Sequence, residues 1–194
     1  MKKIYSILML TMALFSLTGC EKELMDYEGK DCLYFDVRRG ASWIEPDLWA
    51  HWNYSEVTFG NILSNDTTIA VKISATGQTK DFDRSFQVIV TKDSTDLEEG
   101  TEYEPLKPEY TIKAGQTHTF VDVTFHRTAR MTNDTLRFQL QIVPNEHFHT
   151  MFDDYKDYPG PYEEWQPKVE FNFNHDARFH NMFVDDVLIQ PEGW

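Results

Sequence analysis

From residue 68 onward, apolar and polar side chains alternate in short runs, the period of a strand with one buried face. Ile69, Val71, Ile73 and Ala75 share one side of residues 68–75, with Thr68, Ala70, Lys72 and Ser74 on the other. Phe86, Val88 and Val90 oppose Gln87, Ile89 and Thr91. Val121, Val123 and Phe125 oppose Phe120, Asp122, Thr124 and His126, and Leu136, Phe138, Leu140 and Ile142 repeat the design along residues 134–143. Shorter strand candidates are residues 32–37, Val57 with Phe59, residues 110–113, the run of Val169, Phe171 and Phe173, and residues 184–189. Gly77, the polar segment 93–100 and Ala114-Gly115 separate them as turns. No segment longer than a turn or two carries an apolar stripe of helical period. The pattern predicts an all-β fold, an antiparallel β-sandwich.

Two stretches break the alternation. Residues 38–56 hold Trp43, Trp49, Trp52 and Tyr54, and residues 144–166 hold Tyr155, Tyr158, Tyr162 and Trp165. Neither set repeats at a strand or helix period, so both are read as long excursions from the sandwich. Aromatic rings in ordered loops can stack on the C–H faces of sugars while nearby carboxylates and amides meet the hydroxyls. They can equally cover the edges of the sheets. Trp43, Trp49, Trp52, Tyr54, Tyr155, Tyr158 and Trp165 are the candidate ligand-binding residues.

The start of the chain has a different pattern. Lys2 and Lys3 precede an almost uncharged run over residues 4–17, the layout of a secretory signal and too short to span a bilayer comfortably. The run ends in Leu17-Thr18-Gly19-Cys20, which resembles the lipobox of bacterial lipoproteins. The resemblance implies that residues 1–19 are removed and that Cys20 becomes an acylated N-terminus, anchored in the membrane by more than one chain. Residues 20–30 then form a polar tether and 31–194 a single domain. Glu21-Lys22-Glu23 is similar to the export signal that sends lipoproteins of Bacteroidetes to the outer face of the outer membrane.

Charge narrows the choice of partner. Loss of Lys2 and Lys3 takes the formal charge from −14 to −16, which repels phosphate backbones and excludes nucleic acid as an expected partner. With Cys20 acylated, Cys32 has no partner within the chain and is expected as a buried thiol.

Gly100-Thr101-Glu102-Tyr103, then Ile112-Lys113-Ala114-Gly115 and Val121-Asp122-Val123, resemble the pattern of Calx-beta-like, immunoglobulin-type modules. With the lipobox and Leu33-Tyr34-Phe35, they resemble a family of Bacteroidetes cell-envelope lipoproteins of unknown function. The resemblance implies an immunoglobulin-like sandwich and an envelope location, and it assigns no catalytic residue.

Other chemistry is thin. Asp153, Asp154 and Asp157, and the acidic run 93–99, offer oxygens to Ca²⁺ but lack the spacing of the twelve-residue calcium loop, so they are read as solvated loops. His147 and His149 would need further ligands to hold zinc. No nucleophile elbow, His-Glu-x-x-His or phosphate-cradling glycine loop occurs, so no catalytic residue, metal or cofactor is expected. Thr67, Ser94 and Thr135 each follow an aspartate, a pattern similar to the O-glycosylation acceptor of envelope proteins in these bacteria. The expected function is non-catalytic: glycan binding, or docking on an outer-membrane glycan-uptake complex. A structural or adhesive protein that binds another protein is the alternative.

Overall fold

The computed structural model describes residues 31–150 and 177–187, apart from 41, 42, 44, 47 and 48. In chain order the strands are β1 (Leu33–Phe35), β2 (Arg38–Arg39), β3 (Ala50–His51), β4 (Tyr54–Thr58), β5 (Asp66–Ala75), β6 (Arg84–Val90), β7 (Tyr110–Ile112), β8 (His118–His126), β9 (Leu136–Val143) and β10 (Phe179–Asp185). The helical content among the described residues is two single turns of 3-10 helix, Lys92–Ser94 and Ala129–Thr132.

A three-stranded sheet runs β1-β5-β8 and a five-stranded sheet runs β4-β10-β9-β6-β7, while β2 and β3 form a separate ribbon. All pairings are antiparallel except that of β10 with β4, which is parallel. The two sheets meet through their inward residues. Phe125 of β8 stands edge-on to Phe138 of β9 at 5.2 Å, and Tyr103 packs on Phe138 at 4.8 Å. Around them Val71, Ile73, Val121 and Val123 face Val88, Leu140, Ile142, Met182 and Val184. Each such side chain contributes roughly 1.5–3 kcal/mol when fully buried. The all-β sandwich expected from the alternation is the architecture of the described residues.

The four alternating runs become β5, β6, β8 and β9, with one face of each turned to the core and Ile89 and Phe120 exposed on the other. Two boundaries differ from the expectation. Residues 54–58 are strand, so the first excursion is shorter than 38–56 and includes the β2–β3 ribbon. The strand expected at 184–189 instead runs from Phe179 to Asp185. It lies between β4 and β9, and its buried face carries His180 with Met182 and Val184 while Phe179 and Phe183 lie on the half-buried face, so apolar and polar residues do not alternate along it. Its polar residues are matched in part: the His180 Nε2 lies 2.9 Å from Ser55 Oγ and Gln139 Nε2 donates to Asn181 Oδ1 at 3.0 Å, while His180 Nδ1 is buried with no hydrogen-bond partner among the described residues. The strand expected at 169–173 falls outside the described residues.

One charged residue ties the two sheets together. Arg84 opens β6 on the same face as Phe86 and Val88 and is 2% exposed. Its guanidinium donates to Asp31 at 2.8 Å and to the Gln116 carbonyl at 3.2 Å, and lies 5.0 Å over the Phe148 ring. Phe148 is itself placed by Asn145, whose side-chain oxygen accepts the His147 and Phe148 N–H groups at 2.9 Å each. Cys32 is buried beside this junction, as expected of a thiol in the core.

Candidate functional site

Immediately after β1 the chain turns out of the sheet at Asp36, and this residue holds the β2–β3 ribbon in place. Its carboxylate, 3% exposed, accepts hydrogen bonds from Lys72 Nζ at 2.7 Å, Arg38 Nε at 2.8 Å and Ser74 Oγ at 2.9 Å. His51 Nδ1 of β3 lies 3.5 Å away. Burial alone would raise the carboxyl pKa, but the bonds from Lys72, Arg38 and Ser74 outweigh it and hold Asp36 below its ordinary value of 3.8. Burial, reinforced by the Arg38 charge, lowers the His51 imidazole. Burial and the Asp36 charge raise the Tyr34 phenol. Backbone bonds from Trp52 N–H to the Val37 carbonyl at 2.8 Å and from Asp36 N–H to the Lys72 carbonyl at 2.9 Å complete the fastening.

On this base the tryptophans and Tyr54 grade from solvent to core. Trp43 is 86% exposed in the loop between β2 and β3. Trp49 is half-buried, and Gly40 lies so close beneath it that a Cβ would fall 2.3 Å from Trp49 Cδ1. Trp52 is half-buried, with the Arg39 guanidinium 5.7 Å over its ring and Tyr54 at 5.3 Å. Arg39 in turn pairs with Glu56 at 3.1 Å on the surface. Tyr54 is 6% exposed and meets Phe183 edge-on, so it belongs to the core and presents no ring to a ligand. Of the candidates in this excursion, Trp43 alone is largely exposed. The other candidates, Tyr155, Tyr158 and Trp165, lie outside the described residues, as does Cys20.

The expected glycosylation positions also separate. Thr135 is exposed in the turn before β9, with its hydroxyl donating to Asp185 at 3.3 Å. Ser94 is half-buried in a 3-10 turn. Thr67, expected in a polar turn, lies within β5 opposite Phe125. Among the described residues no three His, Cys, Asp or Glu side chains converge as metal donors.

The motif residues at 100–103 have structural roles. Gly100 takes φ +77°, and the buried Glu102 carboxylate accepts from Glu98 N–H at 3.0 Å, Thr128 Oγ1 at 2.9 Å and Arg130 Nη1 at 2.9 Å. Asp36, Arg84, His180 and Asn181 are buried polar residues to which the sequence reading assigned no role. For Arg84 a signal was present, because it shares the parity of Phe86 and Val88.

Comparison with known proteins follows this geometry. The chain is similar to the solved structure of CBD12 from CALX1.2, at 11% identity over 81% of this chain and 44% of that one, with a TM-score of 0.45. It is similar to a protein of unknown function from Bacteroides ovatus at 15% identity, covering 78% of this chain and 43% of that one, with a TM-score of 0.42. Another protein of unknown function from Bacteroides ovatus is 14% identical, covering 82% and 46%, with a TM-score of 0.42. The chain spans less than half the length of each of these structures. No curated protein matches it. A family match extends over residues 54–158, more than half of the sequence and from β4 through β9, and the chain belongs to the family described as Domain of unknown function (DUF4843).

Proposed function

We propose that this protein is a non-catalytic accessory domain of the cell envelope, anchored in the outer membrane through acyl chains on Cys20 and displayed at the cell surface. Its β2–β3 loop docks on a glycan or on an outer-membrane glycan-uptake complex. Leu17-Thr18-Gly19-Cys20 supports the anchor, and Glu21-Lys22-Glu23 supports surface display. The single observation behind the docking site is Trp43, a tryptophan 86% exposed on a ribbon whose base is fixed by the Asp36 cluster. A large ring on a fixed base loses little entropy on binding, and tryptophan is enriched among residues that dominate binding energy.

A second reading, a structural or adhesive protein that binds another protein, is favoured by one feature. Trp49 and Trp52 are half-buried and Tyr54 is buried, which leaves one open ring rather than a continuous sugar-stacking platform. Glycan-array binding by wild type and Trp43→Ala separates the two. The first reading expects retention on a glycan that falls by about tenfold or more in Trp43→Ala, with circular dichroism unchanged. No glycan binding, with Trp43-dependent retention of an adhesin or structural protein, favours the second reading, whereas retention of an uptake-complex protein keeps the first. Binding indifferent to Trp43→Ala removes this loop from the function.

A further inference from the structure

β8 is an edge of the three-stranded sheet. At its C-terminal end the edge is covered: Glu104 N–H donates to the Thr124 carbonyl and His126 N–H to the Glu102 carbonyl, both at 2.9 Å. Those bonds show that the even-numbered residues of β8 turn their backbone groups away from β5. His118, Phe120 and Asp122 share that parity, and among the described residues no backbone group pairs with the outward N–H and C=O of Phe120 and Asp122. Their side chains stand on the outer face of the sheet. Phe120 is 50% exposed, Asp122 is exposed, and His118 lies edge-on to Phe120 at 5.8 Å. Natural edges of this kind are usually shielded by charged side chains, lysine above all, by proline or by a bulge. Residues 118–122 contain no lysine, proline or bulge, and Asp122 is their one acidic residue.

We propose that this open edge pairs with the same edge of a second copy of the chain, antiparallel and two-fold symmetric about Phe120, so that two three-stranded sheets become one. The sequence of the edge is complementary to its own reverse. Phe120 falls opposite Phe120 of the second copy, His118 opposite Asp122, and Asp122 opposite His118. The imidazole N–H then meets a carboxylate at both ends of the ladder, and the exposed rings cover each other between them. Because all three opposed positions turn their backbone groups outward, each pair exchanges two hydrogen bonds. The flanking structure selects this register. A shift of two residues one way opposes His118 with Thr124, whose carbonyl already accepts from Glu104. A shift the other way runs into the turn at Ala114-Gly115-Gln116, where Gly115 has φ +75°.

Sedimentation equilibrium of the full-length chain in detergent tests the pairing. Wild type is expected as a reversible dimer. His118→Asp sets carboxylate against carboxylate at both ends and raises the dissociation constant by about tenfold or more. Adding Asp122→His to His118→Asp restores the pair with its direction exchanged and returns the constant to within about threefold of wild type. In the wild type alone, amide exchange at Phe120 and Asp122 slows as protein concentration rises. A monomer at all concentrations overturns the proposal. So does a dimer indifferent to these substitutions, a double variant that stays as weak as the single one, or exchange at Phe120 independent of concentration.

Discussion

His180 lies in β10 with no exposed surface, and burial takes its imidazole down to about 3 from the ordinary 6.5. Between those values the unfolded chain binds a proton that the folded chain refuses. The stability contributed by neutral His180 is therefore present above about pH 6.5 and is lost as the pH falls, by up to about 1.4 kcal/mol per unit. Asp36 acts in a lower window. Its folded pKa is depressed below 3.8, so its contribution persists until the pH drops beneath that ordinary value. Urea midpoints measured between pH 7 and pH 5 should fall for wild type and stay nearly level for His180→Gln; equal slopes would remove His180 as the cause. Residues like these were the least legible part of the sequence. A lone histidine or arginine reads as solvated until its neighbours are known, and Ser55, the partner of His180, stands 125 positions away.

The elements were legible in proportion to how closely residue type follows burial. β5, β8 and β9 place apolar residues on the buried face, so their alternation was visible in the residues themselves. β10 sets His180 on its buried face and Phe179 and Phe183 on the other, and it was placed five residues too late in the chain. The β2–β3 ribbon was invisible for another reason: two-residue strands carry no period, and their order comes from the remote Lys72 and Ser74 bonded to Asp36. Nothing in the sequence marks Gly40, whose missing side chain makes the bed for Trp49. Gly40→Ala should drive the Trp49 ring out, red-shift tryptophan emission and weaken docking through the neighbouring Trp43 loop by several-fold, while costing about 1–3 kcal/mol through overpacking. Unchanged emission and stability would mean that the ribbon yields freely.

Across the whole molecule, the Asp31–Arg84 pair joins a residue two positions before β1 to the first residue of β6, and so one sheet to the other. Asp31→Ala leaves a guanidinium buried with only the Gln116 carbonyl as acceptor and should cost about 3 kcal/mol or more in urea unfolding. Asp31→Ala combined with Arg84→Met should cost less than Asp31→Ala alone, because no stranded charge remains. A larger cost for the double variant would show that the pair's own attraction dominates. The sandwich and its acidic balance could be read from the sequence, since both are sums over many residues, but which of the candidate rings stands exposed could not, because exposure is decided by the packing of distant strands. The parallel pairing of β10 with β4 has one more consequence. β10 is the last described strand in the sequence, yet it occupies an interior place in the larger sheet, between strands that precede it. A chain emerging head first from a ribosome or a translocation pore has a gap in that sheet until residues 179–185 follow. The sandwich therefore closes only once residues 179–185 have followed β9, and until then β4 and β9 flank an empty place between them.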